Sequence, residues 1–179
     1  MMPILVAGIG NIFNGDDAFG VEVVGALSQR PLPREVEVID FGIRGIDLTY
    51  ALLENYSAAV LVDAAQRGEY PGTISVVDLS EMACAPPSGD DLMLSPHELE
   101  PAKVIRLVSA LGGTCRQIFL VACEPLTFGG EEGLLGLSAP VATAVQIAVG
   151  TVEELIDQLI KAEAGKTRLP QPVELGARS

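Results

Sequence analysis

The stretch Pro3–Ile9 contains no polar side chain and runs directly into Gly10. A run this short and this uniformly apolar cannot be one face of a surface element. It reads as a strand buried on both sides, the kind that fills the middle of a parallel sheet. Ala58–Ala64 is a second such run, Ala-Ala-Val-Leu-Val-Asp-Ala, and its single polar residue, Asp63, sits near its end. Two buried parallel strands need helices over both sheet faces, so these runs already point to an α/β chain.

The rest of the chain supplies the other elements. Gly10–Asp17 is a turn-rich loop, and Ala18–Gln29 carries Val21, Val24 and Leu27 at helical spacing. Val36–Phe41 alternates as a strand, and Gly45–Glu54 follows as a helix. Thr73–Leu79 is a further strand. The link to it from Ala64, with Pro71-Gly72 inside, is shorter than the dozen or so residues of a crossover. We expect it to be antiparallel and to lie at a sheet edge. Glu81–Glu100 is a long polar stretch with three prolines, the kind of loop that tends to be functional. Pro101–Gly112 reads as a helix and Gln117–Ala122 as the last strand. Glu124–Leu137 is a Gly-rich loop. Ser138 is placed to cap a long helix from Ala139 to about Ala162. The expected fold is a three-layer α-β-α sandwich around an approximately five-stranded, mostly parallel, twisted sheet. Residues 1–163 form one domain and 164–179 a loose tail.

Composition narrows the function classes. The net charge of −13 argues against nucleic acid, whose phosphates call for clustered Lys and Arg. No apolar run reaches the roughly 20 residues that cross a bilayer, and no leader pattern precedes the first strand. The expected compartment is the cytoplasm. Three cysteines, Cys84, Cys115 and Cys123, show no CxxC spacing, so neither a disulfide framework nor a zinc site is indicated. Cys115 and Cys123 flank an apolar strand and read as small core residues.

Ligands of open α/β sheets sit beyond the carboxyl ends of the strands. At that edge the sequence delivers Asp16-Asp17 after the first strand, Asp40 at the end of the second and Asp63 at the end of the third. The first loop is not a dinucleotide fingerprint: Phe13 stands where GxGxxG requires glycine, and two aspartates at a helix start repel a pyrophosphate. Gly-x-Ser-x-Gly, HExxH, Walker and Asp-Thr/Ser-Gly patterns are all missing. The chain's one histidine, His97, lies in Ser95-Pro96-His97-Glu98-Leu99. Carboxylates combined with an imidazole suit nickel or zinc better than magnesium. Asp17, Asp63 and His97 would leave coordination positions open for an outside ligand.

These residues fall into motifs. Ile4–Asn11 followed by Asp16-Asp17 and Gly20, Asp40-Phe41-Gly42 with Gly45, Val60–Ala64, and Ser95–Leu99 resemble, in that order, the signatures of the [NiFe]-hydrogenase maturation endopeptidases. The resemblance runs from about residue 3 to 160. It implies an endopeptidase that removes the C-terminal extension of the hydrogenase large-subunit precursor after nickel insertion. Asp17, Asp63 and His97 would face nickel carried by the substrate, with no tightly held cofactor. Asp16 or Asp40 would be the general base or a support for His97, and a monomer is expected. Asp17 stands where Glu is common in the family, and Phe41 replaces the first glycine of an Asp-Gly-Gly turn. Two other readings stay open: a nickel-sensing accessory protein that binds the precursor without cutting it, and another peptidase of the same architecture, such as a spore-protein protease.

Overall fold

The computed structural model describes residues 3–54, 56–84, 101–113, 117–130, 132–165 and 174–175. The elements in chain order are β1 (Ile4–Ile9), a 3-10 turn (Asp16–Ala18), α1 (Phe19–Leu27), β2 (Val36–Gly42), α2 (Gly45–Leu53), β3 (Ala58–Ala64), β4 (Ile74–Asp78), α3 (Ser80–Cys84), α4 (Pro101–Ala110), β5 (Ile118–Cys123), α5 (Ala139–Gly165) and the two-residue β6 (Glu174–Leu175). The sheet order is β2-β1-β3-β5-β4-β6. β2, β1, β3 and β5 are parallel, and β4 runs antiparallel to β5. This is the expected mostly parallel sheet with its antiparallel strand on the far side. β6 is an addition from the tail region, pairing antiparallel with Ile74 and Ser75 of β4.

The uniformly apolar strands are buried on both faces, because successive side chains point to opposite sides. Ile4 and Val6 pack with Phe19, Val23, Val60, Val62, Ala148 and Val152, the core under α1 and α5. Leu5, Ala7 and Ile9 pack with Leu48, Leu52, Leu61, Val104 and Ile105, the core under α2 and α4. Each of the fully buried Leu and Ile side chains removes enough apolar area to stabilise the fold by about 1.5–3 kcal/mol. By length and composition α5 is apolar enough to cross a membrane. One face of it, from Val141 and Ala144 to Ile156 and Leu159, is nevertheless buried against the sheet and α1, while Ile147 is exposed. Arg30, just past α1, reaches Glu153 at 2.8 Å and Gln146 at 3.1 Å and so ties the two helices at the surface.

Three local readings change. The polar stretch after β4 opens with a short helix, α3, because the Asp78 carboxylate accepts the Ser80 N–H at 2.9 Å and starts the turn. The helix expected from Ala18 begins at Phe19, preceded by the 3-10 turn that holds both aspartates. Ser138 does stand at the start of α5, its carbonyl accepting the Ala142 N–H at 2.8 Å. Its hydroxyl, however, does not cap the helix; it donates to Asp16 at 2.8 Å.

Candidate active site

The site is set by how closely α1 approaches the sheet. At Gly20 a Cβ atom would run into the carbonyl oxygens of Val62 and Ile9, so only glycine lets the start of α1 lie against β3 and β1. Val62 is the residue before Asp63. The preceding loop folds back equally tightly: Gly10 has φ 136°, and a side chain there would strike the Asp17 carbonyl. These two glycines bring Asp17 to Asp63.

The charge of Asp17 bears on Asp63. Asp63 is 6% exposed at the carboxyl end of β3, where one carboxylate oxygen accepts the Ala64 N–H at 2.9 Å. Burial, and then the negative charge of Asp17, push its carboxyl well above the ordinary range. Asp17 is half-buried. Desolvation raises its proton affinity too, while hydrogen bonds from the Asn11 N–H (3.1 Å) and the Asn14 side chain work the other way. Both shifts favour a proton on the pair. A cation that meets both carboxylates would displace it.

Asp16, the neighbour, faces away from this chemistry. It is fully buried, and its carboxylate receives four hydrogen bonds from the other loop at the same sheet edge. They come from the N–H groups of Leu126 (2.8 Å), Thr127 (3.0 Å) and Ser138 (2.6 Å) and from the Ser138 hydroxyl (2.8 Å). These donors hold its pKa below the usual value in spite of burial. The charge also lies at the positive end of α5. With three donors on Oδ2, one on Oδ1 and the side chain fully buried, the geometry makes Asp16 an anchor for the loop rather than a base. Asp40 is exposed at the end of β2, with β1 between it and β3, about 10 Å of sheet. Its carbonyl accepts the Arg44 guanidinium. His97 lies outside the described residues. Among the described residues no three His, Cys, Asp or Glu side chains come together as a metal site.

Two residues that the motifs did not single out help to build this edge. Asn14, within the turn-rich first loop, accepts the Gly129 N–H of the Gly-rich loop at 2.9 Å, and its carbonyl accepts the Asp17 N–H at 3.3 Å. Glu124 is buried past the end of β5, where it accepts the Arg67 N–H at 2.7 Å and fixes the link between β3 and β4. Beside it, burial and the Asp16 and Glu124 charges push the Cys123 thiol up to about 12, so this free cysteine is a core residue and no nucleophile.

Residues 21–155 match the family model of the hydrogenase maturation proteases. The chain is 30% identical to the hydrogenase 2 maturation protease of Escherichia coli K12 over 174 residues, covering 95% of this chain and 97% of the relative. The chain belongs to the hydrogenase maturation protease family. Its fold is also that of solved members. It matches the hydrogenase maturating endopeptidase HybD of E. coli with a TM-score of 0.69 at 30% identity, over 92% of this chain and 94% of that one. A hydrogenase 2 maturation peptidase from a Thaumarchaeota archaeon gives a TM-score of 0.63 at 28% identity, over 86% and 97% of the two chains. As a hydrogenase maturation protease the chain is a peptidase, and the acid edge just described lies at the carboxyl ends of its parallel strands.

Proposed function

We propose that this protease removes the C-terminal extension of a [NiFe]-hydrogenase large-subunit precursor once nickel is in place, and that Asp17, Asp63 and His97 recognise the nickel the precursor carries. The observation that supports this most is the nearness of Asp17 to the buried Asp63, whose carboxyl feels its charge. The charge of Asp17 adds to burial in raising the proton affinity of Asp63, and a divalent ion meeting both carboxylates would relieve that repulsion. On this reading the metal arrives as part of the substrate, the precursor completes its coordination, and the peptide bond beside it is thereby brought to the acid pair. The nickel polarises the scissile carbonyl. Water adds to that carbon, its proton passes by way of a carboxylate to the leaving amine, and the C–N bond breaks. The protein would work as a cytoplasmic monomer acting on one protein partner.

The test is a comparison of two substrates. Purified precursor with and without nickel is incubated with the chain, and the product mass is measured. The nickel-loaded precursor should lose its C-terminal extension and the nickel-free one should stay intact. Equal cutting of both would remove nickel recognition from the proposal, and binding without any cutting would favour a non-cleaving accessory role.

A further inference from the structure

The turn that carries Asp17 has a closed base and an open top. At the base the Asn11 N–H donates to Asp17 Oδ2 at 3.1 Å, and the Asp17 N–H donates to the Asn14 carbonyl at 3.3 Å. At the top stand Ile12 and Phe13, and Phe13 is 62% exposed. Both backbone groups of Phe13 are nevertheless occupied. Its N–H donates to Asn11 Oδ1 at 3.0 Å, and its carbonyl accepts the Leu134 N–H at 2.9 Å. The Gly15 N–H reaches the Leu134 carbonyl at 2.7 Å, so the facing loop is zipped to the turn just where Leu134 and Leu135 are displayed. Leu135 is 75% exposed, and Ile12 and Leu134 are exposed as well. None of the four packs into either core. Large apolar side chains gathered at one place on a surface mark a contact with another molecule. A backbone held this firmly loses little further freedom when that contact forms.

A peptidase has one obligatory visitor at its site, the chain that it cuts. Between Phe13 and Asp17 lie four steps of chain, at most about 14 Å. An extended substrate covers that span in about four residues. We propose that Phe13, with Ile12, Leu134 and Leu135 around it, is a specificity determinant of the peptidase reaction, receiving an apolar side chain of the precursor within about four residues of the scissile bond. The inference rests on the reading of Asp17 and Asp63 as the place of cleavage. A contact made away from the bond being broken is the same before and in the transition state, so it sets binding rather than the chemical step.

Phe13→Ser and Phe13→Leu are assayed as the full chain on a nickel-loaded large-subunit precursor that the wild type cuts, with the melting temperature measured alongside. Phe13→Ser should raise KM about tenfold while kcat stays within roughly twofold. Phe13→Leu should recover most of that loss. A precursor whose apolar side chains within about four residues of the cut are changed to Ser should show the same rise with the wild type and little further rise with Phe13→Ser. A folded Phe13→Ser protein with wild-type KM overturns the proposal, as does a loss confined to kcat. A wild-type dimer in sedimentation that Phe13→Ser turns into a monomer also overturns it, because the patch then belongs to a second copy of the chain. If Phe13→Ser does not fold, Leu135→Ser decides by the same split. Asp17→Asn, run in parallel, keeps the two failures apart. Full activity there discards the acid pair as the place of cleavage, whereas an inactive Asp17→Asn beside an unimpaired Phe13→Ser discards only the role of Phe13.

Discussion

The charge of Asp17 makes Asp63 harder to ionise than burial alone would. The pair is thus a place where the fold works against itself. Asp63 binds its proton more tightly in the folded chain than in the unfolded one, so its contribution to stability is fully present below the unfolded value of about 3.9 and is lost as pH rises through the raised folded value. At neutral pH the ionised pair is a net cost. Such costs are commonly found at working sites.

Replacing Asp63 with Asn should accordingly raise the melting temperature at pH 7 and abolish cleavage. The stability gain should shrink on acidification and vanish near pH 4 or somewhat below, where the wild-type carboxyl is already protonated. Thermal melts of both proteins across this range, with the precursor assay at pH 7, check the sign. A variant less stable than wild type at pH 7 would contradict it.

Asp16 should behave in the opposite way. Its folded pKa is lowered, so its stabilisation is present above the unfolded value and is lost as pH falls through the lowered one. Asp16→Ala leaves four donors without their acceptor and should cost about 3 kcal/mol or more at neutral pH. Asp16→Asn should be milder and should lose less of its remaining stability in acid than the wild type does. Urea unfolding at pH 7 and pH 4 measures both differences.

A methyl group at Gly20 would push the start of α1 off the sheet, because the atoms in its way are backbone oxygens of β1 and β3. Gly20→Ala should lose about 2–3 kcal/mol of stability. Whatever fraction remains folded should cut the precursor poorly, since Asp17 moves with α1. Gly25→Ala in the same helix has open space around it and should leave both stability and cleavage nearly unchanged.

The sheet was legible because its signal is local. Seven-residue apolar runs at Pro3–Ile9 and Ala58–Ala64 can hardly be anything but buried strands, and the short Ala64-to-Thr73 link dictated the antiparallel direction of β4. Asp17 and Asp63 were legible for a related reason: strand ends in such folds lie along one edge. The separate duties of the two adjacent aspartates were not. Nothing near position 16 in the sequence tells that its partners lie 110 to 122 residues further on. The same distance hid the true use of the Ser138 hydroxyl, which looks locally like a helix cap. Asn14 reads as a turn residue until the loop it touches is in place. The two-residue β6 carries no pattern of its own and is defined only by its pairing with β4.

The grip of Asp16 on the segment from Leu126 to Ser138 also sets when the protease can become active during its own synthesis. Strands β1, β2 and β3 can pair while the ribosome is still making the later chain, but at that stage Asp16 has no donors and the turn holding Asp17 has nothing to lean on. Contacts so distant in sequence close late in folding. A nascent chain would therefore remain disarmed until the first turn of α5 has emerged, and cutting power would appear only with a nearly complete molecule.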